Sequence, residues 1–197
     1  MDKLIKGVFA GAATLSALYV LSMQGRTGHP KLSALQGWKY AHRGLHDAQK
    51  PENSMAAFRA ALESGYGIEL DIHLLKDGNL AVIHDSSLKR TTGCDVNITE
   101  LTTSQLSSCT LEGTSETIPT FSKVLELYDG KAPLIIELKA DGNNQRQLVA
   151  AAVKAMEGYN GIYCMESFDP RCVYWLKKDF PHIIRGQLTE NYFKTKN

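Results

Sequence analysis

From Trp38 onward the chain alternates between short apolar runs and longer stretches in which apolar residues recur at helical spacing. β-Branched or aromatic runs bounded by turn residues predict strands near 38–42, 67–72, 80–84, 133–138, 161–167 and 182–188. After Pro51, Asn53 or Ser54 is placed to cap a helix that carries Met55, Phe58 and Leu62 on one face and stops at Gly65. A second helix begins at Thr120 with Phe121, Val124, Leu125 and Tyr128 facing inward, and a third covers roughly 145–157. A fourth opens with Asp169 as cap and Pro170 as first helical residue, the favoured order at a helix start. Alternating strands and helices predict an α/β fold with a parallel sheet.

One gap is too short for a helix. Between the second and third strands lies Lys76-Asp77-Gly78-Asn79, and Asp-Gly is a strong tight-turn signal. A chain folded back about Asp77-Gly78 sets residues whose numbers sum to 155 opposite each other, so Asp71 faces His84. Opposed residues in paired strands have Cβ atoms about 4.5 to 5.5 Å apart, which brings a carboxylate to an imidazole. After the third strand, 93–119 is a Thr- and Ser-rich insertion expected to form a cap or short helical loop over the rim.

The first residues follow a different pattern. Met1 to Lys6 carries two lysines and Gly7 to Met23 has no charged residue, the pattern of a membrane anchor or a signal segment. The expected organisation is an anchor or signal at 1–23, a Gly-, Ser- and charge-rich linker at 24–37, and a folded domain at 38–197. The accompanying expectation is a cell-membrane protein with one N-terminal span and an extracytoplasmic domain. The 197 residues, 43% hydrophobic and 22% charged, suit one globular core. With 22 basic and 21 acidic residues and no basic run interleaved with aromatics, nucleic acid is excluded as a partner. Cys94, Cys109, Cys164 and Cys172 lack CxxC spacing, which argues against a zinc knuckle.

The candidate chemistry sits at the ends of the apolar runs. Glu69 and Asp71 are two apart on one strand and so share a face, and Glu137 ends another strand. Converging carboxylates repel unless a cation lies between them, and hard oxygen ligands suit Mg²⁺ or Ca²⁺. The alternative for each carboxylate is a structural salt bridge with Arg43 or Lys139. His42 and His84 are the natural proton-transfer pair, since imidazole titrates near neutral pH; their alternative is a His₂-carboxylate zinc site. Arg43 and Lys139 place positive charge on the same rim, where a phosphoryl group is the obvious anion.

These residues fall within Ala41-His42-Arg43-Gly44, Pro51-Glu52-Asn53-Ser54, Gly67-Ile68-Glu69-Leu70-Asp71, Lys76-Asp77-Gly78, His84-Asp85 with Arg90-Thr91-Thr92-Gly93, and Glu137-Leu138-Lys139. In order and spacing they resemble the glycerophosphodiester phosphodiesterase family. The resemblance implies a TIM (β/α)₈ barrel of the phospholipase C-like phosphodiesterase type. It implies His42 and His84 as the general acid/base pair, Glu69, Asp71 and Glu137 as ligands of one divalent cation, and Arg43 and Lys139 as phosphate contacts, with Glu52 and Asn53 close by. The implied reaction is hydrolysis of a small-molecule glycerophosphodiester to glycerol 3-phosphate and an alcohol. The alternatives are a phospholipase D-like cyclising cleavage on the same fold, or a non-catalytic phosphate-binding module. Such a barrel takes about 250 residues, so this chain is expected to stop after about six strands.

Overall fold

In the computed structural model, residues 28–190 are described. Six strands form among the described residues, β1 (Tyr40–His42), β2 (Gly67–Leu74), β3 (Leu80–Val82), β4 (Leu134–Leu138), β5 (Tyr163–Ser167) and β6 (Arg185–Gln187), the first five within two residues of their expected bounds. The helices between them are α1 (Met55–Glu63), α2 (Phe121–Tyr128), α3 (Gln145–Ala155) and α4 (Pro170–Asp179). Their starts obey the sequence signals: Ser54 Oγ accepts from the backbone N–H of Ala57, Thr120 Oγ1 accepts from Lys123, and Asp169 accepts from Arg171 ahead of Pro170. Before β1, Leu32–Leu35 makes one 3₁₀ turn.

The sheet order is β1-β2-β4-β5-β6, with every neighbouring pair along that path parallel. Alternation along the strands divides the two faces. Ile68, Leu70, Ile72, Leu134, Ile136 and Leu138 join Phe58, Phe121, Val124, Leu148 and Leu176 of the helices in the main core. The opposite face receives Glu69, Asp71 and Glu137. Parallel pairing puts His42 beside Glu69, Asp71 beside Glu137, and Glu137 beside Glu166. Among the described residues the path ends at β1 and β6, which do not pair, so five parallel strands form an open part of a barrel.

Two expectations are corrected. β3 folds back antiparallel on β2, off the main path, as the Asp77-Gly78 turn signal predicts, but the register differs by one residue, pairing Ile72 with Val82 and Leu74 with Leu80, so that Asp71 lies against Ile83 rather than His84. The cause is the turn. Leu75 N–H donates to Asn79 O and Gly78 N–H donates to Leu75 O, closing a three-residue loop with Gly78 at φ +83°, in place of a two-residue one. The second correction concerns the membrane. No helix among the described residues is long and apolar enough to cross one; α3, the longest at 11 residues, reaches roughly 16 Å against about 30 Å of hydrocarbon. The stretch 1–23 that prompted the expected anchor lies outside the described residues. A membrane partner, a transmembrane span and a cell-membrane location are therefore withdrawn.

The insertion at 93–119 folds as two 3₁₀ turns, Ile98–Glu100 and Thr103–Ser108. Ile98, Leu101, Leu106, Cys109 and Leu111 bury against Leu75, Ile83 and Leu88 as a second small core. That packing makes it a built element rather than a solvated loop.

Candidate active site

Glu69, Asp71 and Glu137 converge as their strand positions require, with one carboxylate oxygen from each lying within 4.8 Å of the others. Their side chains are 12%, 1% and 8% exposed. Burial, together with repulsion from Asp71, pushes the Glu69 carboxyl up to about 8. Burial also raises Glu137, against the pull of Lys139. Asp71 behaves oppositely: burial works against its charge, but Lys139, the Asn53 amide, His84 and Arg43 outweigh it and hold the carboxyl below its usual range. Asp71 Oδ1 is buried and accepts no hydrogen bond, although Lys139 Nζ lies 3.2 Å away. Three buried, converging carboxylates, with one oxygen that accepts no hydrogen bond, are the donor set a hard divalent cation uses. The residues present therefore fit a divalent cation.

Two cations border this set. Lys139 Nζ is 2.7 Å from Glu137 Oε1. Arg43, just past β1, adopts φ +56°, a conformation uncommon outside glycine, and its N–H donates to both the backbone oxygen and Oε2 of Glu69. Its Nε lies 3.4 Å from Asp71 Oδ2, while Nη1 donates to both carboxylate oxygens of Glu52 at 3.2 Å. Asn53, also left-handed at φ +55°, donates its backbone N–H to Arg43 O and its amide to Asp71 Oδ2 at 2.9 Å. The loop before α1 is thus fastened to the ends of both β1 and β2.

His42 is 69% exposed, with Nε2 3.7 Å from Glu69 Oε2. Desolvation and the neighbouring Arg43 lower its pKa. His84 follows β3, and its Nδ1 lies 2.6 Å from Asp85 Oδ1. A cavity of about 740 Å³ opens beside the rim, bounded by His84, Arg90, Glu137, Lys139 and the half-exposed Phe168. His42, Arg43, Glu69 and Asp71 are not part of its lining.

Sequence reasoning passed over three contributors. His73, 3% exposed, donates from Nε2 to the His84 carbonyl at 3.1 Å; its place two residues beyond Asp71 on the same face was the available signal. Glu166 ends β5 beside Glu137 and is raised by burial and by Glu137. The strand-end rule that selected Glu137 applies equally to it. Arg90 was quoted within a motif but given no role, and its contacts cross 38 residues of chain to Glu52, a pairing no local pattern carries.

A parallel α/β sheet with a carboxylate, histidine and cation rim at its strand ends is the architecture of phospholipase C-like (β/α)-barrel phosphodiesterases. The model of the glycerophosphoryl diester phosphodiesterase family matches residues 42–190. The chain belongs to that family. It is 35% identical over 158 residues to a glycerophosphodiester phosphodiesterase of Caldanaerobacter subterraneus, covering 75% of this chain and 65% of the relative. It is also 35% identical over 127 residues to a rat lysophospholipase D, covering 58% and 40%. Among solved structures it is similar to an Oleispira antarctica phosphodiesterase in complex with the product sn-glycerol-3-phosphate, at TM-score 0.72 and 27% identity over 79% of this chain and 67% of that one. A Thermotoga maritima glycerophosphodiester phosphodiesterase gives TM-score 0.65 and 32% identity, covering 78% and 62%. The chain spans 40% to 65% of the length of these two curated relatives.

Proposed function

We propose that the chain carries the catalytic rim of a metal-dependent glycerophosphodiester phosphodiesterase, releasing glycerol 3-phosphate and an alcohol in the turnover of deacylated phospholipids. The observation that carries this reading is the convergence of Glu69, Asp71 and Glu137 oxygens within 4.8 Å, between the guanidinium of Arg43 and the ammonium of Lys139. Glu69, Asp71 and Glu137 hold the divalent cation, with Mg²⁺ and Ca²⁺ both suited to an all-oxygen set. Once bound, the cation supplies charge neutralisation for a phosphoryl oxygen.

The chain's own residues do the rest. Arg43 and Lys139 hold the remaining phosphoryl oxygens and orient the ester. One histidine of the His42/His84 pair takes a proton from the attacking water as its oxygen bonds to phosphorus. The other protonates the alcohol oxygen as its bond to phosphorus breaks, so proton and electron pair both balance. His84 lines the cavity beside the rim, and the His42 side chain is 69% exposed.

The test is release of glycerol 3-phosphate from glycerophosphocholine by the full chain, with EDTA and after restoring Mg²⁺ or Ca²⁺. Turnover abolished by EDTA and restored by one metal supports the reading. A cyclic phosphate as the product assigns cleavage by intramolecular attack instead. A folded, metal-binding chain without turnover on glycerophosphocholine or lysophosphatidylcholine overturns the enzymatic reading.

A further inference from the structure

Arg90 lies on the single helical turn Lys89–Thr92 that follows β3, and it bridges two carboxylates with two different nitrogens. Its Nε donates to Asp85 Oδ2 and its Nη2 donates to Glu52 Oε1 at 2.6 Å. Asp85 in turn presents Oδ1 to His84 Nδ1 at 2.6 Å, and Glu52 grips Arg43 Nη1 through both oxygens. An unbroken run of hydrogen bonds and ion pairs therefore joins His84, past β3, to Arg43, past β1. The turn carrying Arg90 is itself anchored: Leu88 is fully buried, its N–H donates to Val96 O, and Ile98 N–H donates to Ser86 O. From the other side His73 holds the His84 carbonyl.

We propose that Arg90 is a positioning residue, which fixes the imidazole of His84 through Asp85 and sets its place relative to Arg43 through Glu52. This rests on the reading of His84 as a proton-transfer group. Burial works against the Asp85 charge, but the Arg90 and His84 bonds prevail and hold its carboxyl down to about 2. Asp85 is thus an acceptor only, which makes Nδ1 of His84 the protonated nitrogen and leaves Nε2 for the reacting proton. The same logic holds an imidazole in one tautomer in other acid/base sites. Arg90 is half exposed and so is cheap to replace, yet its two contacts demand a fork. The compact ammonium of lysine reaches one carboxylate or the other.

The experiment compares the full chain with its R90Q and R90K variants by two readouts. The first is the ¹⁵N spectrum of the His84 ring, assigned by the signal missing in H84Q. The parent is expected to show the Nδ1–H tautomer, and both Arg90 variants a mixture. The second is turnover of glycerophosphocholine. Both variants are expected to lose about 10- to 100-fold in kcat, short of the roughly 10²- to 10⁴-fold that a proton-transfer group contributes, with KM and metal affinity within about twofold of the parent. A ring spectrum unchanged in R90Q overturns the proposal, as does recovery of parental kcat in R90K, which would reduce Arg90 to a source of positive charge. Should the parent itself fail to turn over the substrate, the activity reading fails separately and the ring spectrum alone decides the brace.

Discussion

Lys139 Nζ lies 2.7 Å from Glu137 Oε1 and so leans into the carboxylate set that a divalent cation would share. The two cations compete for the same oxygens, yet both favour a bound phosphoryl group. Lys139→Met is therefore expected to separate two affinities. A charge-assisted bond is worth about 1.5 to 3 kcal/mol, so KM for glycerophosphocholine should rise by about 10- to 100-fold. Affinity for Ca²⁺ or Mg²⁺, read by calorimetric titration, should hold or increase. A tenfold loss of metal affinity would make Lys139 an organiser of the carboxylates rather than a substrate contact.

The two histidines differ in exposure but are assigned complementary work. His42→Ala and His84→Ala should each lower kcat by about 10²- to 10⁴-fold while leaving metal titrations unchanged. His42 approaches Glu69 only at 3.7 Å, through a side chain that is 69% exposed, so its removal strips little from the cation set. Full activity in either variant removes that histidine from proton transfer.

Metal removal should make stability depend on pH in a defined direction. Glu69 is pushed from 4.5 up to about 8 in the folded chain, first by burial and then by Asp71. Between those two values the folded metal-free chain keeps a proton that the unfolded chain has lost. Stability therefore falls as pH rises through that window. A divalent cation displaces the proton, so the Tm gain on adding Ca²⁺ or Mg²⁺ should be larger at pH 8 than at pH 5. Glu69→Gln should flatten the metal-free profile and weaken the metal's effect. Equal gains at both pH values would place the cation elsewhere.

Why some of this was legible in the sequence, and some not, follows from the range of the interactions. Glu69 and Asp71 share a face because strand side chains alternate, and Ser54, Thr120 and Asp169 cap helices through contacts two or three residues away. Local chemistry of this kind can be read along the chain. The β2–β3 register was missed by one residue because Asp-Gly fits both two- and three-residue turns, and the bond from Leu75 to Asn79 decides between them. The same ambiguity misplaced Asp71 opposite His84. Arg90 and Glu52, 38 residues apart, meet only once β1 and β3 stand on one rim. An uncharged N-terminal run suggested a membrane span from composition alone, and no described helix supports it.

Gly67 offers a final test, since its importance is steric and invisible to turn-based reading. It opens β2 beside Tyr40 of β1, and a Cβ there would stand 2.7 Å from the Pro133 carbonyl and 2.8 Å from the Tyr40 ring. The carbonyl is backbone and cannot rotate aside, so an added methyl must part β1, β2 and the approach to β4. Overpacking of this kind costs about 1 to 3 kcal/mol, and at this chain length each kcal/mol lowers Tm by roughly 2 to 4 °C. Gly67→Ala should therefore melt several degrees below the parent. Glu69 is two residues further along the same strand, in register with His42, so metal affinity should fall together with Tm. Gly78→Ala supplies the contrast: its Cβ would meet open space, leaving only the strained φ of +83°, and it should cost about 1 kcal/mol without touching metal binding. A Gly67→Ala variant with parental Tm and metal affinity would mean that the strands can separate without moving Glu69, and that the cation set does not depend on the close approach of β1 and β2.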